Sequence, residues 1–297
     1  MASASGLRAV VVGGTGGIGR FILGELVCSP AYTEVLSLCR KETTLPESFN
    51  ATESDLKKLK QEIIDFDLEK LTVENCKSYF EGKDVLFVAL SRTWNDSKRL
   101  PGRAIDNFKH VHVHLVVRCA EIAKAAGVRH VSMLSFSGAN STSMFDMMKV
   151  KGEADDAVEA LGFERTSIWK PSLVNKGPNA TFVEKLLKIF MKTIFVGDLG
   201  LTIRFESEQW ALGKTEFPPV SRHEVRDILE IMRQAKEAEA KSKDNSDVPV
   251  AAAGGNETGE KQAADEQMGK QPTGQQPDCD QGSCGVAASE NDDKQEE

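Results

Sequence analysis

Short apolar runs alternate with stretches of helical spacing along the first 170 residues. Val10–Val12, Val35–Cys39, Glu62–Ile64, Asp84–Leu90, Arg129–Leu134 and Phe163–Trp169 each read as a buried strand. They are near-continuous in Val, Ile, Leu and Phe, which suits strands covered on both faces of a parallel sheet. Between them, Arg20–Cys28, Leu71–Phe80, Ile105–Ala126 and Ser143–Leu161 carry apolar residues at helical spacing, and Leu45–Lys60 is a polar, partly helical connection. Strict strand–helix alternation predicts an α/β fold: a doubly wound parallel sheet of Rossmann type, with ligands at the carboxyl ends of its strands.

Beyond Trp169 the pattern loosens. Thr181–Val196 sets Phe182, Leu186, Leu187, Ile189, Phe190, Ile194 and Phe195 against Lys185, Lys188 and Lys192. It reads as a helix on the sheet edge, with a membrane-surface helix or a lid over a substrate pocket as the other readings. Ile203–Phe205 and Phe217–Val220 read as short strands. Ser221 with Glu224 reads as the capping box of a last helix running to about Ala238. The region from about residue 175 is expected to build the substrate pocket.

The most informative stretch is Val10-Val11-Val12-Gly13-Gly14-Thr15-Gly16-Gly17-Ile18-Gly19. Here a strand breaks into a glycine turn and opens a helix. Gly14, Gly16 and Gly19 give G-x-G-x-x-G, and Gly13, Gly16 and Gly19 give a second, overlapping register. One glycine permits the tight turn, one lets backbone N–H groups reach a phosphate, and one lets the helix pack on the strand. A pyrophosphate there would sit on the positive end of the helix dipole. The bland alternative is a structural glycine turn. The second strand closes on Arg40-Lys41 where NAD-binding chains carry an acid, so the pattern favours the 2′-phosphate of NADP(H) over NAD(H). Glu42 nearby, or a merely solvated basic loop, is the competing account. Asp65 and Phe66 follow the third strand near the expected adenine, and Ala89 and Leu90 end the fourth beside the pyrophosphate and nearer ribose.

Charge and composition change the picture at the C-terminus. Residues 241–297 contain no Phe, Trp, Tyr, Leu or Ile, a composition that cannot bury enough apolar surface to offset chain entropy. The reading is a body of residues 1–240 and an acidic, disordered tail, either an entropic segment or a partner-binding arm. Of the chain's 37 basic and 45 acidic residues, the tail holds 5 and 13, which leaves 32 of each in the body. That balance gives no reason to expect nucleic acid as a partner. No secretory signal or transmembrane run is visible, so a cytoplasmic location is the default, with the nucleus or an organelle surface as alternatives. Six scattered cysteines lack metal-ligand spacing, and Cys279 and Cys284 read as bystanders rather than a thiol pair. His110 and His114 share a helical face, but no further ligands accompany them. His112 is a candidate polar group facing the cofactor.

On these residues the chain resembles the atypical short-chain dehydrogenase/reductases, and among them the Tat-interactive oxidoreductase family. The resemblance is carried by the 12–19 glycine turn, Leu38-Cys39-Arg40-Lys41, Ile64-Asp65-Phe66, Phe80 to Val85, Ala120 to Ala125, Leu134 to Ala139, Val150-Lys151-Gly152-Glu153 and Lys170-Pro171-Ser172. It spans roughly residues 6 to 235 and fades after about 175. It implies hydride transfer between NAD(P)H and a carbonyl or alcohol, with a Ser orienting the substrate oxygen, a Tyr exchanging the proton, and a Lys holding the nicotinamide ribose. Position by position, Ser135 matches the Ser, Lys151 the Lys, and Pro171 a nicotinamide-side contact. Ser172 stands where the pattern often has Gly. The Tyr position is Met147; shifting the register to Lys149 puts Phe145 there. The chain's two tyrosines, Tyr32 and Tyr79, fall elsewhere in the topology. His112, Asp146 or a water on Ser135 or Ser137 are the substitutes on offer. Three functions follow: an NADP(H)-dependent oxidoreductase with an altered proton donor, acting on an unknown carbonyl or quinone; a non-catalytic NADP(H)-binding protein with a protein partner, as the resemblance also implies; or a scaffold that binds nothing.

Overall fold

The computed structural model describes residues 6–175 and 193–246. The chain divides into two units, Met1–Val248 and Pro249–Glu297; the second, with most of the expected tail, lies outside the described residues, as does most of the expected Thr181–Val196 helix. In chain order the strands are β1 Leu7–Val12, β2 Tyr32–Cys39, β3 Leu59–Ile63, β4 Val85–Val88, β5 His130–Leu134, β6 Arg165–Trp169, β7 Leu173–Asn175, β8 Thr193–Phe195 and β9 Val220–His223. The helices are α1 Gly19–Cys28, α2 Glu53–Leu56, α3 Val73–Phe80, α4 Trp94–Lys98, α5 Ala104–Lys109, a π-helical turn His110–Leu115, α6 Val116–Ala125, α7 Asp146–Ala160, α8 Val196–Ala211 and α9 Val225–Ser246.

Seven strands form one sheet in the order β3-β2-β1-β4-β5-β6-β9, and β7 and β8 pair separately. Every pairing in the large sheet is parallel. The doubly wound arrangement is thus as the alternation implied. Successive residues of β1 point into opposite layers. Val10 and Val12 pack with Leu86, Val88, Val131 and Met133 toward α3, α6 and α7, while Ala9 and Val11 pack with Phe87 and Trp169 toward α1 and α8. Each such aliphatic side chain contributes roughly 1.5–3 kcal/mol by leaving water. Burial on both faces is the reason these strands are continuous apolar runs rather than alternating ones.

Several boundaries differ from expectation, each for a local reason. β3 begins earlier than Glu62 because it is an edge strand, where the polar Lys60 and Glu62 sit among exposed positions and apolarity does not mark the element. α7 starts at Asp146 rather than Ser143: Asn140 Oδ1 accepts from Thr142 N at 2.9 Å and Ser143 Oγ from Phe145 N at 3.2 Å, local bonds that compete with helix. Ile203–Phe205 is no strand but part of α8, which buries Leu199, Leu201 and Ile203 between α1 and α9. A helix covered on two sides imitates a buried strand over three residues. Thr193–Phe195, expected at the end of a helix, is strand β8. Ser221 caps nothing; it lies in β9 and its Oγ accepts from Arg165 at 2.9 Å. The Glu224 N–H is taken instead by Asp227 at 3.1 Å, and α9 runs past residue 240 to Ser246.

Candidate nucleotide and catalytic site

The strand order reverses between β1 and β4, and the carboxyl ends of all seven parallel strands share one rim. Ligands of such sheets bind at this switch point. The glycine turn falls there. Gly13 has φ +91°, which L side chains rarely adopt, and a Cβ on it would stand 2.6 Å from the Ala89 carbonyl carbon. Gly16 N–H donates to the Gly13 carbonyl at 3.0 Å. A Cβ on Gly19 would stand 2.1 Å from that same Gly13 oxygen. Gly13 therefore makes the turn and Gly19 sets how closely α1 approaches it. Gly14 adds a packing role beside Ser37. Thr15 and Gly16 are half-buried and Gly17 is open. No side chain caps α1 at Ile18 and no acid stands in its first turn, so the positive helix end is left uncompensated. Small residues, an open turn and a bare helix N-terminus fit a pyrophosphate.

Around this cradle lie the other expected nucleotide contacts. Arg40 and Lys41 are exposed at the end of β2, and no carboxylate among the described residues pairs with either. Asp65 follows β3, exposed and paired with Lys70 at 2.7 Å; that hydrogen bond holds its carboxyl below the usual range. Phe66 leans half-buried on the core. Ala89 N donates to Val12 O at 2.8 Å, locking the end of β4 beside the turn, and Leu90 is half-buried.

Of the expected catalytic residues, Ser135 follows β5, while Met147 and Lys151 lie on α7. Ser135 N donates to Trp169 O at 2.8 Å, and Ser137 N to Pro171 O at 3.1 Å, so the two loops run together. Ser135 is buried. Lys151, on α7, is half-buried; burial pulls its pKa down to about 8, against the carboxyl of Asp155 one turn on. Met147 is 42% exposed on the first turn of α7, with Phe145 and Asp146 also exposed beside it. Tyr32 opens β2 and Tyr79 lies on α3, packed against the core, both on elements remote in topology from the β5 loop. His112 lies buried in the π turn with its Nε2 against the Arg92 backbone, 2.9 Å from the oxygen and 3.2 Å from the nitrogen. Burial, with the charge of Lys151 adding, pushes it down to about 3. It is therefore neutral near pH 7 and tethers the loop after β4. His110 and His114 meet edge to face, their ring centroids 6.2 Å apart. Among the described residues no group of three or more His, Cys, Asp or Glu could hold a metal ion.

A model of the NAD(P)H-binding family matches residues 13–192, from the glycine turn onward. The chain belongs to that family. The chain is 33% identical to protein HTATIP2 of Rattus norvegicus over 165 residues, 55% of this chain and 61% of the rat protein. It is 27% identical to protein FMP52-1, mitochondrial, of Scheffersomyces stipitis over 241 residues, 77% of this chain and 100% of the yeast protein. Among solved structures, the oxidoreductase ylbE from Lactococcus lactis superposes with a TM-score of 0.50 at 16% identity, covering 78% of this chain and 97% of that one. The resemblance to the short-chain dehydrogenase/reductases and the Tat-interactive proteins among them is borne out by these matches. The match to the rat protein spans less than two thirds of its length.

Against the family frame, four residues matter that the residue-by-residue reading left without a role. Arg20 puts a cation in the first turn of α1, against the helix dipole; its Nε is buried without a partner and its guanidinium lies 5.6 Å from the Phe21 ring. Gly152 lets α7 cross the β5 loop, since a Cβ there would meet Ser141 N at 2.1 Å. Asp155 and Lys170 are both buried behind Ser135, Lys170 Nζ lying 3.3 Å from Asp155 Oδ2 and donating to Ala139 O at 3.0 Å. The available signal was Asp155 itself, four residues after Lys151 and so on the same helix face.

Proposed function

We propose that this protein is an NADP(H)-dependent oxidoreductase acting on a carbonyl or quinone, with proton delivery altered by Met147. The observation that carries the reading is the glycine cradle at the sheet's switch point, where Gly13 has φ +91° and a Cβ on Gly19 would stand 2.1 Å from the Gly13 oxygen, on the rim that also bears Ser135 at the end of β5; Lys151 lies one helix turn from the buried Asp155 carboxyl. Bound NADPH would supply the hydride. Gly13, Thr15, Gly16, Gly17, Ile18 and Gly19 would hold the pyrophosphate through backbone N–H groups and the α1 dipole. Arg40 and Lys41 would hold the 2′-phosphate, with Asp65, Phe66, Ala89 and Leu90 flanking the adenosine half. Lys151 and Pro171 would hold the nicotinamide half, and Ser135 would donate a hydrogen bond to the substrate oxygen.

A thioether cannot donate a proton, and general acid catalysis is worth about 10²–10⁴-fold. That favours a second reading, a nucleotide-binding protein with no turnover whose surface serves a protein partner. The experiment that separates them pairs NADPH binding, read by fluorescence, with NADPH oxidation on a panel of aldehydes and on 9,10-phenanthrenequinone, for the native chain and Met147→Tyr. Turnover in the native chain, raised about tenfold or more by Met147→Tyr, supports the first reading. Tight binding with turnover confined to the variant supports the second. No helix among the described residues is long and apolar enough to cross a membrane. The fungal relative carries a mitochondrial name, and imaging of the tagged chain distinguishes an organelle from the cytoplasm.

A further inference from the structure

Behind Ser135 the structure holds a line of ionisable groups that reaches solvent. The Asp155 carboxyl is fully buried. Four groups face it: Ser135 from the end of β5, Lys151 from its own helix, Lys170 from the end of β6, and, beyond Lys170, Glu224 from the start of α9. Lys170 Nζ is 3.3 Å from Asp155 Oδ2 and 3.9 Å from Glu224 Oε1. The Glu224 side chain is 51% exposed, that of Lys170 only 5%. A buried carboxyl is costly unless paired or protonated; Lys170 pairs with one oxygen, and burial pushes the pKa up while the Ser135 hydroxyl, Lys170 and Lys151 pull it down.

We propose that Asp155 is a positioning residue that stores the proton the site lacks at Met147, feeding Ser135 and being recharged along Lys170 and Glu224. The inference rests on the reductase reading above. Reduction of a carbonyl adds a hydride to carbon and a proton to oxygen, the nicotinamide being oxidised as the C=O π bond opens. The Ser135 hydroxyl gives its proton to that oxygen as the carboxylic acid of Asp155 gives its own to Ser135 Oγ. Asp155 is left a carboxylate beside the Lys170 ammonium. Lys170 returns a proton to it and regains one through Glu224 from solvent, so protons balance over the cycle.

The test is a double-mutant cycle between Asp155→Asn and Met147→Tyr, following oxidation of NADPH by 9,10-phenanthrenequinone. In the native background, Asp155→Asn should lower kcat about 10- to 100-fold with KM little changed and shift the pH profile. In the Met147→Tyr background, where a phenol supplies the proton, it should cost less than about threefold. Equal losses in both backgrounds mean a structural role and overturn the proposal, as does no loss in the native chain. If neither background oxidises NADPH that is demonstrably bound, the reductase reading falls and takes the proposal with it. A second readout needs no nucleotide. In the free protein labelled with ¹³C at its carboxyls, one aspartate resonance should titrate above the ordinary range and vanish in Asp155→Asn. The Lys151 amine should then titrate lower still. A buried aspartate titrating at or below the ordinary range overturns the proposal.

Discussion

Replacing Gly19 with alanine tests the cradle where it is tightest. A methyl there would stand 2.1 Å from the Gly13 carbonyl oxygen and 3.2 Å from Ala89 Cβ, where ordinary contact begins at 3.4 Å. Neither neighbour can give: one is backbone in a positive-φ turn, the other the buried side chain that directly follows β4. The N-terminus of α1 must retreat by about 1 Å, in an interior packed as tightly as a crystal. Overpacking of this kind costs about 1–3 kcal/mol of stability. The retreat also carries the first-turn N–H groups away from the phosphates. Losing one hydrogen bond to a charged group costs about 1.5–3 kcal/mol, which at 1.4 kcal/mol per decade weakens NADPH binding roughly 10- to 150-fold. The assay is a fluorescence titration of NADPH well below the variant's Tm. Gly127→Ala is the control: φ is +83° but nothing lies within 4 Å of the added methyl, so it should lose about 1 kcal/mol of stability and no affinity. Native affinity in Gly19→Ala, or equal losses of affinity in both variants, would refute the reasoning.

Arg40→Glu combined with Lys41→Ser should weaken NADPH about 10- to 100-fold and NADH less than about threefold, because exposed cations act on the 2′-phosphate and little else; equal weakening removes them from that role. His112 and His130 are both buried and pushed down to about 3, chiefly by desolvation. Their folded pKa values lie below the unfolded value of 6.5, so the unfolded chain takes up protons first as pH falls. Stability is then complete above pH 6.5 and is lost on acidification, by about 1.4 kcal/mol per pH unit for each histidine between pH 6.5 and the folded value of about 3. Asp155, pushed up, opposes the loss in part. His130→Gln should flatten this limb of a urea-denaturation series by about one proton, and an unchanged slope would remove His130 from the account. Truncation after Val248 should leave Tm unchanged within error, as the tail's composition requires; a clear drop would show that residues 249–297 support the body.

What the sequence determined by itself is whatever rests on local chemistry. Val10–Val12 running into Gly13–Gly19 specified strand, turn and helix, because glycine at positive φ and a close helix approach leave few other residues possible. Continuous apolar runs specified a sheet covered on both faces. Arg40 and Lys41 were singled out by their place at the end of the second strand, and Ser135, Met147 and Lys151 by the spacing that the resemblance implies. Where burial rather than propensity decided, the pattern misled. Ile203–Phe205 is helical because α1 and α9 cover it on two sides, and β3 reaches back to Leu59 because an edge strand tolerates polar residues. Ser221 went to Arg165 instead of a helix cap because β9 completes the sheet. The tertiary structure alone decided that Asp155, Lys170 and Glu224 stand in line behind Ser135. They come from α7, the end of β6 and the start of α9, and a charge in the middle of a helix reads as solvated until packing removes the solvent. Distance in sequence hides such a group; the low dielectric of the interior gives it its chemistry.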